Sequence, residues 1–296
     1  MRVVDDYIRY AATCIVLLSV SMIPAILSAQ PNVRWQGSLS YSNGSYYFSE
    51  PTGSFYITNG IAAELKSVNL SLTLPFVVQG TPWISYAAAA NLPTGGTQSG
   101  EVRGMGGGSG SGGMGAGGRR NMITIPDTTS YNQASFSDPS LRLSAAVVNS
   151  YSSRTSVYLN AGLKFPLSDP ASGFGTGAWD VSAGLSLSKG LGRTVIVYTD
   201  LMYWWLGDME ELPLKNGLSY GFGIGKLFRD YGWTGNLSIS GFTEVIEGYD
   251  PPLTLMAGAG YRLNERSSLT FSAGTGLSES SPDLTIGFGW SVGLGK

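Results

Sequence analysis

The side chains able to do chemistry are few and fall into three sets. Glu244, Glu247 and Asp250 share one short segment, and Asp208, Glu210 and Glu211 share another. Grouped carboxylates can hold calcium through their oxygens, but neither spacing matches an ion-binding loop, and solvated loop charge is the simpler account. The third set is dispersed: Arg142, Lys164, Asp180, Asp200 and Arg262 each stand among apolar or small polar neighbours. Histidine is absent and the single cysteine is Cys14. A His-based catalytic triad, and any zinc or haem site built from His or Cys, are therefore closed to this chain. The G-x-G matches in the glycine-rich stretch are followed by no helix pattern that would open a phosphate site. These exclusions point away from an enzyme and away from a bound cofactor. With a net charge of −2, nothing favours nucleic acid as a partner.

The dispersed charges acquire meaning from the elements that carry them. Trp233-Thr-Gly-Asn-Leu-Ser-Ile-Ser-Gly241 puts Trp233, Leu237 and Ile239 on one face and Thr234, Asn236, Ser238 and Ser240 on the other. The same period of two recurs along the chain and predicts about twelve strands. They are Val33–Tyr41, Phe55–Leu65, Ser67–Val77, Pro139–Asn149, Thr155–Phe165, Ala178–Ser188, Thr194–Trp205, Gly217–Phe228, Trp233–Phe242, Leu253–Arg262, Ser268–Gly276 and Asp283–Leu294. Each is near the length that crosses a bilayer at a tilt. Tight links (Lys66, Ser150–Arg154, Lys189–Arg193, Arg229–Gly232, Leu263–Arg266) alternate with longer ones such as Pro166–Gly177 and Gly207–Asn216. Short inner turns and long outer loops alternate in this way in outer-membrane barrels, whereas a soluble sandwich has no reason to do so. The expected fold is all-β, an antiparallel transmembrane up-and-down barrel in contact with outer-membrane lipid. Charged residues make up 13% of the chain, about half the usual share.

Parity then assigns faces. A charge turned to lipid costs up to about 2–4 kcal/mol at mid-bilayer, so polar positions are expected inside. The candidates for the lumen wall are Arg142, Tyr158, Lys164, Asp180, Asp200, Asn236 and Arg262. Their charges could pair across the lumen and hold it shut, or line a path and select what passes. Outward aromatics concentrate near strand ends, where amphipathic rings favour the headgroup level. Phe76, Phe165, Trp179, Trp204 and Trp205 stand beside long loops; Trp233, Tyr261 and Trp290 stand nearer the short turns.

Two segments break the pattern. Residues 1–29 place Arg2 and Arg9 before an apolar run that ends at Leu27-Ser-Ala29, which reads as a signal peptide for export, with an uncleaved anchor helix as the alternative. The barrel is then 30–296. Residues 79–137 form a long loop, expected outside the cell, with a Gly-rich stretch at 104–118. That composition behaves as flexible coil. It can hang in solvent, fold into the lumen or meet a partner.

Several of these residues also carry a resemblance. Ser135-Phe-Ser-Asp-Pro-Ser-Leu141 resembles a "G-x-G-D-x-x-L" strand entry. Leu163-Lys-Phe-Pro-Leu167 followed by Gly175-Thr-Gly-Ala-Trp-Asp180 resembles "K-x-P-T-G…G-T-G-x-W-D", and Leu277–Asp283 resembles a last hairpin. These features are similar to the MetA-pathway phenol-degradation family of outer-membrane proteins, over roughly Ser135 to Lys296, with an echo at Leu70–Pro75. The resemblance implies a barrel of about twelve strands that takes up small, hydrophobic or aromatic solutes. The glycine-rich insertion departs from the family, as does the Gly-Leu-Gly-Lys296 end, where a barrel usually has an aromatic residue. The expected function is a channel or transporter for small solutes. The alternative is a closed barrel whose outer loops bind a surface partner.

Overall fold

The computed structural model describes residues 31–46, 51–80, 84–87, 90–92, 133–168, 174–208, 213–228 and 232–294. The predicted signal peptide, the Gly-rich stretch 104–118, Glu210 and Glu211 lie outside the described residues.

All fifteen described elements are strands: β1 (Asn32–Gly44), β2 (Thr52–Leu65), β3 (Val68–Gln79), β4 (Ser85–Ala87), β5 (Ala90–Leu92), β6 (Gln133–Phe136), β7 (Ser140–Ser150), β8 (Thr155–Lys164), β9 (Asp180–Leu191), β10 (Val195–Trp205), β11 (Gly217–Leu227), β12 (Trp233–Phe242), β13 (Leu253–Arg262), β14 (Ser267–Gly276) and β15 (Leu284–Gly293). Setting aside β4, β5 and β6, the remaining long strands number twelve and correspond one to one with those predicted. Each pairs antiparallel with its sequence neighbour, and β1 pairs with β15 from Arg34↔Gly293 to Asn43↔Leu284. The sheet is thus closed. Every long strand has a partner on both sides, so no row of N–H and C=O groups is left for lipid to desolvate.

The segment 79–137 is not coil throughout. The pair β4–β5 forms a small separate hairpin, and β6 extends the wall beside β3. Between β6 and β7 the ladder jumps from Phe76↔Phe136 to Thr73↔Ser140, so Ser137, Asp138 and Pro139 oppose only Leu74 and Pro75. Neither proline has an N–H to give the ladder, and a bulge absorbs the mismatch. The Ser137 amide donates to the Pro75 carbonyl at 2.9 Å and keeps the seam closed. Ser137 and Asp138 are turned inward and buried.

Registers sort the side chains into two faces. Leu159, Leu185, Leu201 and Tyr220 stand opposite one another across four strands on the outside; Asn160, Gly184, Met202 and Ser219 do the same on the inside. Outer side chains at mid-strand are about half exposed, with Leu159 at 51%, Leu185 at 49% and Leu237 at 48%. Such a continuous apolar belt is far larger than a water-soluble monomer presents, and hydrocarbon satisfies it at no cost. The buried apolar side chains instead collect under the long loops.

Candidate functional site

The inner face divides into a packed outer mouth and an open inner end. At the long-loop mouth, two of the predicted lumen charges, Lys164 and Asp180, are buried in an ionic cluster with Asp138. Lys164, the last residue of β8, faces Asp180, the first of β9, in direct register. Its Nζ lies 2.9 Å from Asp180 Oδ2 and 3.5 Å from Asp138 Oδ2, and it donates to Thr176 Oγ1. Among the described residues, neither of those carboxylate oxygens has a donor besides this ammonium. The other oxygens hold loops: Asp138 Oδ1 accepts from the amides of Leu167 (3.0 Å) and Ser168 (2.8 Å), and Asp180 Oδ1 accepts from the Gly207 amide at 3.2 Å. The cluster therefore staples three connections to the rim. Asp138, Lys164, Thr176 and Asp180 all come from the sequence stretches that carry the family resemblance; Asp138 sat in that motif but its parity within a bulge could not be read from a period of two.

Two apolar clusters sit beside the staple. Phe174, from the β8–β9 connection, packs inside the barrel on Tyr56 and Val77. Trp204 and Phe242 meet Leu206, Leu214, Val245 and Ile246 from the next two connections. Trp204 corrects an expectation: it does not join an outer aromatic girdle. Its place in β10 shares parity with Asp200 and Met202, it is 7% exposed, and its Nε1 donates to Ser219 Oγ at 2.9 Å. Three consecutive aromatics in a strand must alternate faces, so of Tyr203-Trp204-Trp205 only the outer two can face outward. Those two meet edge to face with centroids 5.0 Å apart. The other predicted outer aromatics form similar pairs: Phe76 with Phe136, Phe165 with Trp179, Trp233 with Tyr261, and Trp290 with Trp35.

Glu244 and Asp208 are engaged with protein. Glu244 Oε2 accepts from Lys215 Nζ at 2.8 Å and Oε1 from the Gly248 amide at 2.8 Å, while Asp208 Oδ1 caps the Leu214 amide. Among the described residues no three His, Cys, Asp or Glu side chains gather as a metal site. The Lys215 hydrogen bond holds the Glu244 carboxyl below its usual 4.5 and lifts the Lys215 ammonium above its usual 10.5. The sign is that of a depressed carboxylate: the tie is present above 4.5 and lost as pH falls through the lowered value. Acidification is expected to release the 213–216 and 243–252 connections from each other. Amide-exchange protection of Lys215, whose N–H donates to the Val245 carbonyl at 2.7 Å, should fall in acid relative to neutral pH, and Glu244→Gln should abolish that difference.

Away from the mouth the inner wall is wet. Arg142, Asp200, Asn236 and Arg262 are exposed on the interior parity, with Tyr158 partly covered. Arg142, Asp200 and Arg262 form no ion pair among the described residues. At the short-turn end a cavity of about 500 Å³ is lined by Arg34, Thr234, Arg262, Ser268 and Thr270. Arg34 was missed as a site residue; its alternation with Trp35 in β1 was the available signal. Its guanidinium donates to Ser291 Oγ at 2.9 Å and to the Arg266 carbonyl at 3.4 Å.

The fold, and not the sequence, links this chain to known proteins. No family model matches the chain, and no curated protein sequence matches it. Solved structures do. An outer membrane channel from Pseudomonas putida F1 aligns with a TM-score of 0.61 at 10% identity, over 88% of this chain and 95% of that one. The NanC porin aligns at 0.52 with 8% identity, over 88% and 100%, and the KdgM porin at 0.51 with 9% identity, over 88% and 99%. At these identities the likeness is one of fold: the chain folds as an outer-membrane β-barrel.

Proposed function

We propose that this protein is an outer-membrane channel for small solutes, related to the MetA-pathway family, with hydrophobic or aromatic compounds as its cargo. The observation that carries the reading is the pairing of a lipid-compatible outer belt with an interior whose charges at Arg142, Asp200 and Arg262 are left to water. A barrel needing polar side chains only for closure would pair them, as it does at Lys164. The fold likeness to an outer membrane channel and to two porins supports the same reading, and the motif resemblance supports the solute class. The outer aromatic pairs near strand ends serve as headgroup-level girdles in this arrangement.

The test is ionic current through purified protein in a planar bilayer. Unpaired lumen charge biases which ions pass. Arg142→Glu combined with Arg262→Glu is expected to raise the cation-to-anion permeability ratio by about severalfold, read from the reversal potential in a salt gradient. An unchanged ratio would place both residues off the path. The inward packing of Phe174, Val245 and Ile246 favours a second reading, in which the barrel is shut and its loops meet a surface partner. Absence of current from folded protein would select it.

A further inference from the structure

Several bulky inner side chains do not point at the barrel axis. Tyr198 on β10 stands directly opposite Gly223 on β11. A methyl group on Gly223 would overlap Cζ, Oη and Cε2 of the Tyr198 ring, and no other group approaches it as closely. Gly223 is accordingly buried, although it faces the interior. The ring therefore reaches sideways along the wall, across the place where a side chain would be. Its Oη accepts a long 3.5 Å hydrogen bond from Asn236 Nδ2 on β12. Asn236 in turn leans onto its own partner, Gly258 of β13, where a methyl group would overlap its Oδ1 and lie 3.2 Å from its Cγ. Two large polar side chains are thus laid end to end against four strands, each in a gap left by a glycine.

We propose that Gly223 and Gly258 keep the lumen open below the packed mouth, by giving Tyr198 and Asn236 a place to lie flat, and so limit the size of solute that passes this level. The proposal rests on the channel reading and adds the residues that fix its cross-section at this level. The physical argument is steric. Side chains occupy discrete staggered wells, so a ring displaced from one must move to another. On its other flank Tyr198 faces Ser188 of β9, which already carries a side chain. A ring driven off Gly223 has the lumen as its remaining space. Gly225, two residues along the same inner row, is different: a methyl group there meets only ordinary contacts at 3.7 and 3.9 Å. It supplies a control with the same chemistry, strand and face.

Single-channel conductance in planar bilayers, with folding checked by heat-dependent migration on gels, tests this. Gly223→Ala is expected to lower conductance by about twofold or more, because the displaced ring places a second constriction in series with the packed mouth. Gly225→Ala should leave it unchanged. Adding Tyr198→Ala to Gly223→Ala should restore it, while Tyr198→Ala by itself should change little, since the ring already lies out of the way. A conducting wild type whose Gly223→Ala variant conducts normally overturns the bore assignment and leaves the channel reading intact. A wild type that folds but passes no current overturns both. Should Gly223→Ala fail to fold, two other variants decide: Gly258→Ala, which displaces Asn236, is expected to lower conductance, and normal conductance there overturns the assignment, as does a severalfold rise on Tyr198→Ala, which would show that the ring obstructs the path.

Discussion

Replacing Lys164 by Met is expected to destabilise the folded barrel by about 3–5 kcal/mol, the range for removing one member of a buried ionic cluster. The reason is geometric. Among the described residues, Asp138 Oδ2 and Asp180 Oδ2 have no donor other than the Lys164 ammonium, and both side chains are nearly inaccessible to water. Methionine preserves the stem of the side chain and leaves two carboxylates facing each other unneutralised. Because Asp138 also holds the 165–168 connection and Asp180 holds Gly207, the outer rim should loosen with them. Urea unfolding in lipid vesicles, followed by tryptophan fluorescence, measures the loss. Adding Asp180→Asn should recover part of it by removing one uncompensated charge. A loss under about 1 kcal/mol would mean that water reaches the cluster and that it is not a staple.

The second large effect is expected on the opposite face. Leu237→Arg, at the middle of β12, should cost about 2–4 kcal/mol when the barrel is inserted in a bilayer. Ser240→Arg, on the same strand but facing the interior, should cost less than about 1 kcal/mol, as an exposed substitution does in water. Both positions are exposed in the bare protein. A soluble protein with two wet faces would tolerate the two changes alike, so the difference between them measures lipid against water. Equal costs in folding into vesicles would remove the membrane reading.

Much of this architecture is legible in the chain because a strand's period of two is local. Leu185 and Ser186, or Leu237 and Ser238, declare their faces without reference to any other strand, since the pleat alone sends neighbours to opposite sides. Alternating link lengths declare the up-and-down order for a related reason: a tight turn can join only adjacent antiparallel strands. The same periodicity misled where a run of one residue type hid it. Tyr203-Trp204-Trp205 looked like one aromatic cluster, and the pleat placed Trp204 inside.

What a period cannot carry is partnership across the barrel. Asp138 and Lys164 are 26 positions apart in sequence (164 − 138) and meet because a bulge at two prolines turns Asp138 inward. That Lys164 is paired while Arg142 and Arg262 are solvated depends on how far each lies from the folded-in loops. Whether Tyr198 blocks the lumen or lies along its wall depends on which residue register places beside it, and Gly223 is 25 positions away (223 − 198). The residues alone determined a closed lipid-facing cylinder with charge inside, because alternation and turn length are short-range properties of the backbone. The tertiary structure decided which of those charges are neutralised, where the mouth is packed and how wide the interior stays, because each of these turns on contacts made by strands and loops distant in sequence.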